Sequence, residues 1–540
     1  MGDDFTLPAD VKAADANLPA RLQDTALNAT YGLPKLDKTE AAATYATQAK
    51  QANVTRRLGA LLSTPPVANR NLWPNRLSNG TNTAQNSGLR HILTSDVTEL
   101  RLVYTNTQTP AGADSGPGNS ITVTAAIELE DGTFLPVNFG GVRAVTIANA
   151  ATVVSDPLTI DLAKGTAIRS RTYVTVTSGQ KWPLGHAGSY VGTLGDGVEV
   201  GLSGTVTDKT LGGTLGSASG TNLYGPSAII GKGATVWDSP SIGIAGDSIA
   251  WGQGSEGSSR VLQSGPGFAQ MALNNQFNFI NVADPGDRAT LTSPRANHAV
   301  RWTFLQGVAH VISNFGVNDL SNGVTLADWQ TSSIANWKQW VARGAKVWQT
   351  TITPVSSSTD GWLTAASQTA GSFGNINPAN LWLRDGAPML NGAAVATGSN
   401  ASGTIRAGAA GHPLAGVFDV ADPVTTVDGK WKDATNVHAL TGLTASAGGT
   451  TVTAATGIFS IPTDRYKQIQ IPGAGAAGGL YIGQVTAYNS TTSVTVSPAI
   501  TTAVSGVAGT VYDPMTTDGV HPYFTGAALM ATGVDTTKLV

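Results

Sequence analysis

Two hydrophobic periodicities divide this chain. From about residue 88 to 236 apolar residues alternate with polar ones: Ile121, Val123, Ala125, Ile127 and Leu129 take every second position, and Glu130-Asp131-Gly132-Thr133 then marks a hairpin. Leu135, Val137 and Phe139 repeat the pattern, as do Ile168, Ser170, Thr172, Val174 and Val176. Short strands between turn residues predict a β-sandwich or jelly roll over 66–238. Beyond residue 239 the pattern becomes continuous apolar runs separated by helical stretches. Ser241–Ala245, Asn278–Val282, His310–Phe315 and Lys346–Ile352 read as buried strands. Between them, Gly267–Leu273 reads as helical, and Thr325 caps a helix with apolar positions Leu326, Trp329, Ile334, Trp337 and Val341 before a stop at Gly344. Such alternation predicts a parallel sheet sandwiched by helices, a three-layer α/β domain.

The polar loops at the ends of these runs carry the chemistry. The first run ends in Gly246-Asp247-Ser248, the second leads to Pro285-Gly286-Asp287, and the third to Gly316-Val317-Asn318-Asp319. Far downstream stands Asp518-Gly519-Val520-His521. In open α/β sheets the site lies beyond the carboxyl ends of the strands, so these loops should converge. A serine hydroxyl needs an imidazole to take its proton and a carboxylate to orient that imidazole. Ser248, His521 and Asp518 supply the three parts. Asp247 is the rival orienter, and the tight Asp-x-x-His spacing favours Asp518.

These four blocks, in this order, resemble the SGNH hydrolases of the GDSL esterase and lipase superfamily, whose domain is flavodoxin-like. The resemblance covers 239–435 and 514–540. It implies Ser248 as nucleophile, His521 as general base and then acid, and Asp518 as orienting carboxylate. It also implies an oxyanion hole from the backbone N–H groups of Ser248 and Gly286 and the side-chain amide of Asn318. The family often reads Asn-x-Gly before the oxyanion glycine, and Ala283 stands here in place of that first Gly. No metal or organic cofactor is implied. Asp319 reads as a brace for its loop. Arg288 could meet an anionic substrate or close a surface ion pair. His298, His310, His412 and His438 lack metal-ligand spacing.

Between 436 and 513 the sequence turns Gly, Thr, Ala and Val rich, with strand-like stretches at Lys467–Ile471 and Ser493–Val496. This β segment is an insertion, because the Asp-x-x-His block follows it. Its Gly448–Thr453 and Gly473–Gly478 phrases look like the β modules of phage tail fibres and tailspikes. Residues 1–65 read as a partly helical arm in which Asp37-Lys38-Thr39-Glu40 has capping-box spacing. A homo-trimer would favour the tail reading.

Composition narrows the partners. The 540 residues carry 12% charged side chains, a net charge of −3 and no cysteine, so disulfides are excluded and no basic patch suits nucleic acid. No signal peptide or membrane-spanning run is evident, which suits a virion component released by lysis. Trp182, Tyr190 and Tyr224 either stack on sugar rings or fill the β core. The expected function is removal of acyl groups, above all O-acetyl esters, from a bacterial surface polysaccharide. A non-catalytic receptor-binding tail protein and a general short-chain esterase or lipase are the alternatives. The sequence names no substrate-binding residue.

Overall fold

The computed structural model describes residues 64–540 except 111, 186–193, 217–221, 234–239, 256–264, 294–297 and 461–463. The arm and Tyr190 therefore lie outside the described residues. Five strands form the central sheet: β1 (Ser241–Gly246), β2 (Asn278–Asn281), β3 (His310–Asn314), β4 (Lys346–Thr350) and β5 (Leu414–Phe418). Their order is β2-β1-β3-β4-β5, and every pairing is parallel. All six residues of β1 are buried, as a strand covered by helices on both faces requires. Helix Leu326–Val341 is capped by Thr325, whose side chain accepts the Asp328 N–H. Its buried face differs by one residue from the expected stripe, since Trp340 is buried and Val341 is 42% exposed. The larger ring takes the place in the core, where Trp302 meets it edge-on.

Two antiparallel sheets precede this domain. One runs Gly197–Gly201, Ala84–Ile92, Ala167–Thr175, Ile121–Leu129, Phe134–Val137, with Ala144–Ile147 also on Ile121–Leu129. The other joins Ala228–Lys232, Val97–Thr105 and Thr152–Val154, with Leu158–Leu162 also on Val97–Thr105. Leu102, Tyr104 and Ile229 from the second meet Val123, Ile127, Ile168 and Val174 from the first in one apolar core. Trp182 and Tyr224 are buried there, so neither ring face is open to a sugar.

This β domain also covers the edge of the central sheet. The Asn71 side chain donates to the Asn281 carbonyl at 2.9 Å and accepts the Asn281 N–H at 2.9 Å, in the manner of a neighbouring strand. Thr94 and Ser95 hydroxyls donate to Asn278 Oδ1 at 2.6 and 2.7 Å. The β2 edge of the sheet is thereby covered against pairing with another chain.

The segment before the Asp-x-x-His block forms a closed barrel of six strands: Thr435–Ala445, Thr451–Ala454, Ser493–Ser497, Tyr481–Ser490, Gln468–Ile471 and Val504–Asp513. Its first and last strands pair, with Thr435 opposite Asp513, so the chain leaves and rejoins the α/β domain at one point. Leu443, Val452, Ile469, Val485, Val494 and Val511 fill its interior. No helix among the described residues is long and apolar enough to cross a membrane.

Candidate active site

The buried end of β1 fixes Ser248. Asp247 caps the short helix Ser248–Trp251 by accepting the Ile249 N–H at 2.9 Å, which places Ser248 at the helix start. The tight turn Asp518–His521 approaches it from the end of the chain. Asp518 Oδ1 accepts the Val520 and His521 N–H groups at 2.9 and 2.8 Å, while Oδ2 accepts His521 Nδ1–H at 2.7 Å. His521 Nε2 stands 2.8 Å from Ser248 Oγ. Hydroxyl, imidazole and carboxylate thus form one continuous hydrogen-bonded chain, in the arrangement that activates a serine.

The electrostatics separate the two rival carboxylates. Burial alone would raise Asp518, but the His521 ring and the two backbone N–H groups outweigh it and hold the carboxyl at about 2. It is therefore ionised at neutral pH, as an orienter of a tautomer must be. Asp247 is wholly buried and touches the Ile249 N–H rather than His521; burial pushes its carboxyl well above the usual range.

Two glycines let the base loop close. Gly519 has φ +83, and a Cβ there would lie 1.7 Å from the Ser356 carbonyl oxygen. Ser356 N–H and Trp431 Nε1–H both donate to the Gly519 carbonyl, at 3.0 and 2.9 Å. On the serine side, Gly254 has φ +92, and its Cβ would meet Pro522 O at 2.9 Å and the His521 Cβ at 3.0 Å. A Gly254→Ala substitution, strained at this φ and short of room, should push His521 from Ser248. Misplacement of about 1 Å costs roughly 10²-fold in rate. We expect kcat for a small ester to fall at least tenfold, and an unchanged kcat in a correctly folded variant would refute the packing argument.

The second and third blocks sit on the neighbouring loops. Gly286 is exposed with φ +85 at the end of the β2 loop. Asn318 donates one amide N–H to the Asp287 carbonyl at 3.1 Å, which ties the two loops together and leaves its second N–H. Asp319 accepts from the Ala289 N–H and from both the N–H and hydroxyl of Thr290, bracing the same loop. Ala283 is buried, its N–H bonded to Asn281 Oδ1 at 2.9 Å, so the small residue fits. Arg288 is half-buried beside Asp319.

Sequence reasoning missed Arg301. It is fully buried and pairs with Asp287 directly behind Gly286, with Asp284 3.8 Å away. Its guanidinium also donates to the Thr109 carbonyl of the β domain at 3.2 Å. The helical stretch Ala299–Phe304 carried no visible signal for this role, because a cation inside an apolar helix is ordinarily solvated. The histidines outside the loop are held elsewhere: His310 Nδ1 accepts the Trp348 indole N–H at 3.0 Å, and His412 Nε2 bonds the Ala387 carbonyl at 2.9 Å. Among the described residues no three His, Cys, Asp or Glu side chains gather as a metal site. An open cleft lies beside the loop after β4, walled by Ile352, Val355, Phe373, Ile376 and Arg384, and none of Ser248, Asp518 and His521 lines it.

No family model matches the chain, and no curated protein does. Among solved structures it is similar to an active-site mutant of a family two carbohydrate esterase from Clostridium thermocellum. There identity is 16%, coverage 52% of this chain and 72% of that one, and the TM-score 0.20. A protein of Bacillus subtilis matches at 16% identity over 53% of this chain and 63% of its own, TM-score 0.22. A GDSL-like lipase from Bacteroides thetaiotaomicron matches at 16% identity over 22% of this chain and 50% of its own, TM-score 0.17. The chain thus spans less than two thirds of the latter two. The solved structures to which parts of this chain are similar include SGNH and GDSL hydrolases, at low score and partial extent.

Proposed function

We propose that the protein is a serine esterase that removes acyl groups, above all acetyl, from a polysaccharide. The observation that carries this reading is the unbroken chain from Asp518 through His521 to Ser248. Ser248 Oγ attacks the ester carbonyl as His521 Nε2 takes its proton. The tetrahedral oxyanion is met by the N–H groups of Ser248 and Gly286 and the remaining amide N–H of Asn318, each donor being worth about 10²–10³ in rate. His521 then protonates the leaving alcohol, and the acyl group stays on Ser248. Water, losing a proton to His521, releases the carboxylic acid and restores the serine.

The preference for short acyl groups rests on the surroundings of the base loop. The hairpin Ser356–Ser358 with Gln368–Ala370 beside that loop carries serine, threonine and glutamine where a lipase lid would carry apolar residues. Rates on p-nitrophenyl acetate, butyrate and octanoate, together with acetate release from acetylated xylan and from a bacterial capsule preparation, test it. We expect kcat/KM to fall at least tenfold from acetate to octanoate and acetate to appear from a polymer. Preference for octanoate would favour a lipase instead. The polymer-facing role on a phage tail is part of the same proposal, supported by the Gly- and Thr-rich barrel sequence, and a trimeric mass in solution would add to it.

A further inference from the structure

The inserted barrel grips the base loop from both sides of His521. Two residues past it, Tyr523 is buried and reaches into the barrel, where Gln484 Nε2 donates to its hydroxyl at 2.6 Å. That hydroxyl in turn donates to the Tyr466 carbonyl. Tyr466 has φ +71 in a turn held by buried Asp464, which accepts the Ser460 N–H at 2.7 Å, bonds His438 Nε2 at 3.1 Å and lies 3.5 Å from the Lys467 ammonium. The second grip is indirect. Tyr512 donates to the Gly361 carbonyl at 3.0 Å and Gln470 to that of Asp360, fixing the turn that lays Trp362 against Gly519. Asp518 itself is about half exposed, at 51% of its side chain, and the bonds of Ser356 and Trp431 to Gly519 hold only the part of the loop before His521.

We infer that the barrel is a positioning device for the catalytic base, with Tyr523 and Gln484 as the joint that seats His521 over Ser248. The inference rests on the reading of Ser248 as nucleophile and His521 as base. Neither joint residue contacts the reacting atoms; they act through the backbone of the loop. A side-chain base displaced by about 1 Å loses roughly 10²-fold in rate while substrate binding is spared. Residues serving one joint should also be non-additive.

The test is steady-state kinetics on p-nitrophenyl acetate with full-length Tyr523→Phe, Gln484→Met and the double variant, beside Ser248→Ala. We expect kcat to fall 10- to 100-fold in each, KM to change less than twofold, and the double variant to be no worse than the worse single. Thermal midpoints should stay close to that of the parent. If Tyr523→Phe does not fold, Gln484→Met decides alone. A kcat within twofold of the parent, or a loss regained in full on cooling below a lowered midpoint, overturns the positioning role while an inactive Ser248→Ala leaves the esterase reading standing. Turnover by Ser248→Ala would instead remove that reading, and the inference with it.

Discussion

Ser248→Ala should lose between about 10³- and 10⁶-fold in kcat on p-nitrophenyl acetate while KM moves little, because in the proposed mechanism the lost oxygen is the one that forms the acyl-enzyme. His521 Nε2 faces the Ser248 hydroxyl at 2.8 Å. Removing either member of such a chain disables the same step, so His521→Ala should cost about as much as Ser248→Ala, and the double variant no more than either. Steady-state rates over a wide enzyme range check this. A Ser248→Ala rate within tenfold of the parent would contradict it.

The largest effect on stability is expected at Arg301→Ala. Arg301 is enclosed with Asp287 and Asp284, its own N–H and that of Val300 are bonded to Asp114 Oδ2 at 3.1 and 3.0 Å, and its guanidinium reaches Thr109. Breaking a buried pair by removing one partner typically costs about 3–5 kcal/mol, because the remaining charge keeps its desolvation cost. For a domain of this size that corresponds to a fall in melting midpoint of roughly 6–20 °C. Asp284 gives the loss a pH dependence. Burial pushes its carboxyl up to about 8 against Arg301's opposing pull, with Asp287 and Asp114 adding to the rise. A carboxyl raised in the folded state contributes stability that is full below its unfolded value near 3.8 and is lost as pH rises through the folded one. Without Arg301's pull the Asp284 carboxyl rises further, so the deficit should be larger at pH 8 than at pH 5. Thermal scans at both values decide; a midpoint within 2 °C of the parent at pH 8 would refute the role of Arg301.

How far the sequence exposed this arrangement follows from the range of each interaction. The strands of the central sheet were legible because their apolar runs are local, and the triad because Asp518 and His521 lie in one turn. The choice between Asp247 and Asp518 turns on the same locality: Asp247 is committed to the N–H two residues ahead of it. Arg301, by contrast, meets Thr109 and Asp287 only where the β domain and the Gly286 loop come together, and no spacing announces that. Closure of the barrel was equally hidden, since it depends on Thr435–Ala445 finding Val504–Asp513 across the whole insertion. The helix register failed at Trp340 and Val341 because both lie on the rim of one apolar stripe, and only packing against Trp302 chooses between them. Tyr523 gave no signal at all beyond being next to Pro522.

The proposed chemistry requires Ser248 to be a nucleophile activated by His521. Covalent labelling with a fluorophosphonate, read by mass spectrometry of the digested protein, tests that directly. We expect one phosphonyl adduct on the peptide containing Ser248 in the parent and none at that site in His521→Ala. An unlabelled Ser248 in the folded parent, or equal labelling in both proteins, would contradict it.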